Sequence, residues 1–268
     1  MKNQHPDYYP SIKRFNKFII NADDFGMNHS INAAIVNCFA LELISSTSLL
    51  PNMSGFQDAV QAAHSNAGLK QRIGIHINLT EGIPLTGAIK ACRKFCDENG
   101  YFISNGNRPF FILSKDEKKA VYAEIKAQVQ KVINAGITPT HIDSHHHIHT
   151  ELGISKILLL VLKESGINKI RCSRNLGIKN TFSKEVYKKA FNYSLIYKSG
   201  FKTTNYFGSI TDLQHSDFRV TPKGKLIEIM VHPMYSETGE LVDDDNQNLS
   251  DKLNLILEKA KIICYNEF

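Results

Sequence analysis

Short apolar segments alternate along this chain with longer segments in which apolar residues recur every three or four positions. Residues 72–79 show the first pattern, since isoleucine or leucine fills every odd position from 73 to 79 and His76 and Asn78 take the opposite face. Residues 114–136 show the second pattern, with a capping box at Ser114 and Glu117 before an apolar helical stripe. These two periods predict a strand and a helix.

The same two patterns recur over most of the chain. Strands are predicted at residues 17–22, 46–50, 72–79, 140–144, 169–173, 203–207 and 226–231. Helices are predicted at residues 31–41, 54–65, 114–136, 154–164, 183–198 and 249–264. Such alternation implies an α/β fold with a mostly parallel sheet and helices outside it.

Polar clusters follow four different predicted strands, which is typical of the carboxyl-end face of a (β/α) barrel. We therefore expect a TIM-like barrel of about seven mostly parallel strands, in a single domain spanning residues 1–268. The alternative is an open doubly wound sheet, which places function mainly at one switch point. Residues 81–113 lack a sustained period and are rich in glycine, proline and polar residues, so we expect a long functional excursion there.

Composition excludes several classes of protein. The net charge is +6, but the 32 basic residues are dispersed, so we expect no nucleic-acid partner. The longest apolar run, residues 157–162, is far too short to span a bilayer, and we expect no membrane partner. The polar start of the chain and five cysteines without ligand spacing favour a cytoplasmic protein with reduced thiols.

Candidate chemistry begins with Asp23 and Asp24, which directly follow the first predicted strand. Neighbouring side chains at a strand end diverge, so one carboxylate would ligate a metal while the other carries a proton. The alternative is a turn that caps the next helix. His76 projects from the polar face of its strand as a ligand or as a structural histidine.

A dense histidine cluster follows the predicted strand at residues 140–144. If the chain stayed extended, one face would carry His141, Asp143, His145, His147 and His149. Five such groups are poorly matched without a cation, and a carboxylate with one or two imidazoles suits a catalytic divalent metal. The alternatives are a solvated loop or an adventitious metal patch.

Two further strand ends carry candidates. His232, fixed by the proline after it, would be a general acid or base, or part of a surface turn. Arg171 is a candidate for substrate contact, with an ion-paired arginine as the alternative. Nothing matches a nucleophile elbow or a glycine-rich phosphate loop, so the four clusters together favour metal-assisted hydrolysis.

Four motifs occur in the order NADDFG, GIHINLTEGIPL, THIDSHHHIH and VHP, spread over nearly the whole chain. In these motifs the chain resembles the YdjC-like family, whose best-known members are chitooligosaccharide deacetylases. The resemblance implies a distorted barrel, one divalent metal (magnesium or zinc), and removal of the N-acetyl group from N-acetylglucosamine units of short oligosaccharides. Met234 departs from the glycine that many relatives have after His-Pro.

The resemblance also implies roles for individual residues. The expected metal ligands are Asp24, His76 and His145. Asp23 would be the general base on the attacking water, and His232 the acid that protonates the leaving amine. The residues expected to contact substrate are His147, Arg171 and Asn78, while the roles of His141, His146 and His149 stay open.

Two other functions stay open at this point. One is another metallohydrolase, such as a phosphoesterase or a different deacylase, although no arginine or lysine trio lies near the motifs. The other is a non-catalytic sugar-binding protein, which would not need Asp23 and His232. The expected partner is a small oligosaccharide, and a homodimer is kept open because relatives often dimerise.

Overall fold

A curved sheet of parallel strands forms the centre of the computed structural model, which describes residues 17–104, 112–177, 182–195, 199–215 and 224–268. Along the sheet the strands lie in the order β4-β3-β2-β1-β6-β5, and β9 also pairs with β1. Their bounds are β1 Lys17–Phe25, β2 Ser46–Leu49, β3 Ile73–Ile77, β4 Ile142–Ser144, β5 Tyr206–Ser209, β6 Leu226–Val231 and β9 Lys261–Ile262. Every pairing among these strands is parallel.

Helices follow most of the strands and cover the outer face of the sheet. Their bounds are α1 His29–Ala40, α2 Phe56–Ser65, α3 Gly87–Lys90, α4 Lys115–Asn134, α5 Leu152–Ser165, α6 Phe182–Tyr193, α7 Ile210–His215 and α8 Leu249–Lys259. A small antiparallel pair, β7 Met234–Tyr235 and β8 Leu241–Val242, follows β6. No helix among the described residues is both long and apolar enough to cross a bilayer.

The predicted strand at residues 169–173 forms only isolated backbone pairings. Ile142 pairs with Ile170, and Lys169 pairs with Lys202, both in parallel. This segment therefore bridges the gap between β4 and the chain that leads into β5. The result is the expected distorted (β/α) barrel, in which one strand position is reduced to a short crossing.

Several predicted boundaries need correction. The last helix ends at Lys259, not at residue 264, because the chain becomes extended at Ala260 and β9 then pairs with β1. Gly55, not Ser54, precedes the first residue of α2, and the Ser54 hydroxyl donates instead to the Met27 carbonyl. The capping box at Ser114 is confirmed, since its Oγ accepts from the Glu117 N–H.

The excursion at residues 81–113 is only partly without regular structure. It contains the short helix α3 and an antiparallel pairing of Cys96 with Phe102. Residues 105–111 lie outside the described residues, as do residues 196–198 at the end of the predicted helix 183–198. The Glu124 carboxylate of α4 accepts from the N–H groups of Leu85 and Thr86, which ties the start of the excursion to the barrel.

The space enclosed by the strands is polar rather than apolar. Apolar side chains of the strands pack outward against the helices, as Ile75 and Ile77 do in β3. The inward positions carry polar residues that bond to one another, namely Asn21, Asp23, Ser48, His76, Asp143, Arg171 and Glu228. Buried polar groups must find partners, so this interior is a continuous bonded network.

Candidate metal centre

The carboxyl ends of four strands bring the candidate residues together. His76 in β3 lies in register with Asp143 in β4. On the other side of β1, Ala22 pairs with Val231, so Asp23 and His232 are the residues that follow each. Because parallel strands share one carboxyl edge, residues far apart in sequence meet there.

Asp24 lies at an irregularity in β1. Its φ angle of 69° is in the left-handed region, and the register between β1 and β2 shifts between Ala22 and Phe25. Such an irregularity re-aims side chains at the rim of a barrel. The two adjacent aspartates diverge as expected: Asp24 faces His76 and His145, while Asp23 faces Arg171.

Asp24, His76 and His145 form a compact set of ligand atoms. The Asp24 Oδ1 atom lies 3.3 Å from His76 Nε2 and 2.9 Å from His145 Nδ1. One ligand atom from each residue lies within 4.8 Å of the other two. The Asp24 Oδ1 atom is buried, and no group among the described residues meets it in hydrogen-bond geometry. An unpartnered buried carboxylate oxygen is costly unless a cation is supplied.

In each histidine ring, the nitrogen that does not face Asp24 bonds to a second carboxylate, and this determines which nitrogen carries the proton. His76 Nδ1 lies 2.7 Å from Asp143 Oδ1, and His145 Nε2 lies 3.0 Å from Glu81 Oε2. An ionised carboxylate only accepts, so each of these nitrogens carries the proton. In the neutral ring, the other nitrogen then presents a lone pair toward the Asp24 carboxylate. Three electron-rich atoms facing one another are the donor set of a divalent metal.

The electrostatics of His76 show how strongly its position favours a positive charge. Burial lowers its pKa, but the charge and hydrogen bond of Asp143, together with Asp23 and Asp24, raise the pKa of His76 to about 10. Burial raises the pKa of Asp24, and the two imidazoles outweigh it and hold that pKa well below its usual value. The surroundings therefore favour positive charge at this point, which either a proton on His76 or a bound metal ion would supply. The three residues fit the expected ion.

Asp23 is ion-paired on its other side. Arg171 donates from Nη1 to Asp23 Oδ2 and from Nη2 to Asp23 Oδ1, each at 2.7 Å. Asn21 Nδ2 adds a third donor to Oδ1 at 2.9 Å. Burial raises the pKa of Asp23, but the guanidinium outweighs it and holds the carboxyl ionised. A carboxylate offers about four lone-pair sites, so Oδ2 keeps one for a proton.

Arg171 is not placed for the substrate contact that the sequence suggested. Its side chain is 0% exposed, and its guanidinium contacts three carboxylates, those of Asp23, Asp143 and Glu228, at 2.7–2.8 Å. The ion-paired alternative is the one that the structure shows. Arg171 supplies the internal cation that allows these acidic groups to be buried together.

Tyr265 closes the network from the end of the chain, and sequence reasoning missed it. Its hydroxyl donates to Glu228 Oε2 at 2.6 Å, and its ring stacks on His141 at 3.6 Å. Burial raises the pKa of Glu228 to about 7, against the lowering by Arg171 and Tyr265. Burial lowers the pKa of His141 to about 3, so this histidine is a neutral interior residue. A lone tyrosine near a terminus carries no sequence signal for this role.

His232 follows β6 at the rim of the barrel. Its backbone N–H donates to Asp243 Oδ1, and its Nδ1 lies 3.4 Å from Asp244 Oδ2. Burial lowers its pKa, but the bond to Asp244 and the charges of Asp23 and Asp24 raise the pKa of His232 to about 9. The ring is therefore protonated at neutral pH.

The histidine cluster does not keep the extended backbone on which the shared face depended. Residues His145–Thr150 form two short 3₁₀ turns, and His146 and His147 take positive φ angles of 52° and 53°. His147 packs edge-on against Phe207 at 5.3 Å, with its Nδ1 buried and without a partner. His146 Nδ1 lies 3.0 Å from Thr80 Oγ1.

Two residues from the cluster turn into the protein instead. His149 Nδ1 lies 2.6 Å from Ser144 Oγ, and burial lowers the pKa of His149 to about 4. Asp143 bonds His76 and Arg171 and is 0% exposed. Both are internal residues rather than ligands of the Asp24 set.

Asn78 is also placed differently from a substrate-binding residue. Its Oδ1 accepts from the N–H groups of Thr80 and Glu81, and its Nδ2 donates to Asn52 and to the Glu81 carbonyl. With 0% exposure, this side chain shapes the turn after β3. It thereby sets the position of Glu81.

Comparison with known proteins identifies the family of this chain. A family model described as YdjC-like protein matches residues 17–261. The chain belongs to the YdjC-like family. Relatives named "Carbohydrate deacetylase" include one from Vibrio parahaemolyticus, 30% identical over 82% of this chain and 79% of that protein, and one from Thermoanaerobacter pseudethanolicus, 31% identical over 87% and 84%. A Vibrio cholerae relative of the same name is 38% identical, over 55% of this chain and only 56% of its own length.

Solved structures show the fold of this YdjC-like protein. A putative cellobiose-phosphate cleavage protein from Enterococcus faecalis matches with a TM-score of 0.73 and 23% identity, over 94% of this chain and 98% of that one. A lactam utilization protein from Thermus thermophilus matches with a TM-score of 0.50 and 12% identity, over 92% and 99%. The overall architecture of the chain is therefore one seen in other proteins.

Proposed function

We propose that this protein is a metal-dependent carbohydrate deacetylase that removes the N-acetyl group from N-acetylglucosamine units of short oligosaccharides. The observation that carries the proposal is the set of Asp24, His76 and His145, in which two imidazole nitrogens face a buried carboxylate oxygen without a cation. The relatives named as carbohydrate deacetylases support the substrate class.

Asp24, His76 and His145 would hold the metal. Bound there, the ion would polarise the acetyl carbonyl and lower the pKa of a water, and so supply the electrophile and the nucleophile of amide hydrolysis. Two imidazoles and one carboxylate favour zinc, while magnesium prefers oxygen ligands, so zinc is the first ion to test.

The proposed base lies on β1, beside Asp24, and the proposed acid directly follows the neighbouring strand β6. Asp23 is held ionised by Arg171 and keeps a lone pair on Oδ2, so it would accept the proton of the attacking water. His232 is protonated at neutral pH and would donate its proton to the leaving amine. Each group is thus already in the protonation state that its role requires.

The remaining expected substrate-binding residues, His147, Arg171 and Asn78, also lie near the carboxyl ends of the strands. His147, packed on Phe207 with an unpartnered Nδ1, is the proposed sugar-contacting histidine. Arg171 and Asn78 would act through Asp23 and Glu81 rather than on the sugar. A cytoplasmic location and a homodimer stay predictions; none of the five cysteines forms a disulfide, in keeping with a reducing compartment.

The experiment is acetate release from diacetylchitobiose by protein stripped of metal and then supplied with zinc or magnesium. We expect acetate only after an ion is restored. Asp23→Asn should keep the bound metal and lose at least 100-fold in kcat, on the order of a missing general base. Asp212→Asn is the matched control, because Asp212 is also paired with an arginine, Arg174, outside the cluster.

Two outcomes would contradict the proposal in different ways. Unchanged turnover in Asp23→Asn would remove the general-base role. Metal bound at Asp24 with no acetate formed under either ion would reject the amide substrate and favour another metallohydrolase on this barrel.

A further inference from the structure

Glu81, the first residue of the excursion, contacts His145, a proposed metal ligand, on the side of the ring that faces away from Asp24. We infer that Glu81 is a positioning residue, which holds the proton on His145 Nε2 so that the Nδ1 lone pair of that ring faces the metal. The inference rests on the proposed metal centre and adds a residue that acts on it from the other side of a ligand.

The contact distances carry this assignment. His145 Nε2 lies 3.0 Å from Glu81 Oε2, while His145 Nδ1 lies 2.9 Å from Asp24 Oδ1. A ring that donates through Nε2 to a carboxylate is fixed in one tautomer, with Nδ1 unprotonated. Carboxylates that bond the far nitrogen of a ligating histidine orient the ring and raise its basicity.

The second histidine of the site repeats the same arrangement. His76 Nδ1 lies 2.7 Å from Asp143, and His76 Nε2 faces Asp24. Both imidazole ligands therefore have a carboxylate behind them, although the two carboxylates come from different parts of the fold. Asp143 belongs to a strand and Glu81 to the loop after β3.

The backbone of Glu81 is held independently of its carboxylate. Its N–H donates to Asn78 Oδ1 at 3.0 Å, and its carbonyl accepts from Asn52 and Asn78 at 3.0 and 2.9 Å. The segment that follows is tied to Glu124. Replacing the carboxylate should consequently leave the loop in place, which makes the substitution a clean test.

Glu81 differs from Asp143 in exposure, and this decides which of them can be tested. The Asp143 side chain is 0% exposed and bonds Arg171, so its removal would disturb the interior. The Glu81 side chain is 45% exposed and lies outside the Arg171 contacts. Glu81→Gln and Glu81→Ala change the second partner of His145 and leave the buried network intact.

The measurement is zinc and magnesium affinity by isothermal titration calorimetry. Glu81→Ala should bind the preferred ion about 10- to 100-fold more weakly than wild type. Glu81→Gln should lose less, because its amide oxygen still accepts from Nε2. Glu98→Gln is the matched control, since Glu98 is an exposed glutamate of the same excursion, and it should bind as wild type. Equal affinity in all three variants would overturn the inference.

A second readout separates positioning from general damage. Long-range ¹H–¹⁵N correlation spectra of the metal-free protein should show His145 with its proton on Nε2 in wild type and in Glu98→Gln, and a mixture of tautomers in Glu81→Ala. An unchanged tautomer in Glu81→Ala would contradict the role of Glu81 alone. Wild-type protein that binds neither ion would instead reject the metal centre of the proposed function.

Discussion

Two adjacent aspartates, Asp23 and Asp24, face two regions of the barrel in which buried negative charge is balanced in different ways. Around Asp23, three buried carboxylates surround a guanidinium that the chain itself provides, Arg171. Around Asp24, a carboxylate meets two imidazoles whose other nitrogens already donate to Asp143 and Glu81. The first region is compensated internally, whereas the second is the proposed site for a cation from outside.

The largest expected effect comes from removing the internal cation. Arg171→Met should destabilise the protein by about 3–5 kcal/mol or prevent folding, because three carboxylates lose their shared partner in the interior. Urea unfolding at pH 7 measures it. Arg174→Met is the control, since that arginine is partly exposed and its ion pair among the described residues is with Asp212, and it should cost about 1 kcal/mol or less. Equal losses in both variants would show that the compensation is not special to Arg171.

The second effect concerns the region that needs an external cation. Asp24→Asn should abolish the thermal stabilisation that zinc gives to wild type, which is about 2.7 kcal/mol at a free ion concentration 100 times Kd. The metal-free variant should unfold close to metal-free wild type. Differential scanning fluorimetry with and without zinc measures both. Persistent stabilisation in Asp24→Asn would place the ion elsewhere, such as among Glu81, His145 and His146.

The sequence predicts the site better than the interior that supports it. Strand ends with aspartate or histidine are local signals, and they pointed to the Asp23–Asp24 pair, His76 and the histidine cluster. The family resemblance then selected Asp24, His76 and His145, which the structure brings together. The partners of Arg171 lie 28 to 148 positions away and depend on the strand register of the curved sheet, which no local pattern encodes.

The histidine cluster shows why local patterns reach a limit. Alternation places five side chains on one face only if the backbone stays extended, but two left-handed residues, His146 and His147, redirect the chain. Positive φ angles at non-glycine residues are uncommon, so they are not expected from sequence. The fold class was more predictable, because strand and helix periods recur along most of the chain. The strand predicted at residues 169–173 is the exception, since the structure reduces it to isolated pairings.

A smaller effect is expected at Tyr265, which contacts Glu228 and His141 beside the Arg171 network. Tyr265→Phe keeps the stack on His141 but removes the donor to Glu228 Oε2, so it should lower the free energy of unfolding by about 1–2 kcal/mol. Urea unfolding of this variant beside Tyr193→Phe, an exposed tyrosine, measures the difference. No loss would mean that Arg171 alone compensates Glu228.

The smallest expected effect lies at the rim of the barrel, where the partly exposed Asp244 carboxylate contacts His232, the proposed acid. The Asp244 bond is the largest contribution that raises the pKa of His232 to about 9, so the acid form persists through neutral pH and is lost as pH rises through that value. Asp244→Asn should therefore move the alkaline limb of the kcat profile down by about one pH unit.

A control variant tests whether the shift of the alkaline limb comes from the Asp244 carboxylate itself. Asp245→Asn is the control, because Asp245 bonds Lys252 rather than His232 and should leave the alkaline limb in place. An unmoved limb in Asp244→Asn would mean that Asp23 and Asp24 hold the charge on His232 by themselves. The proton donor would then depend on the same buried aspartates as the metal and the base, and its pKa would change with the ion that is bound.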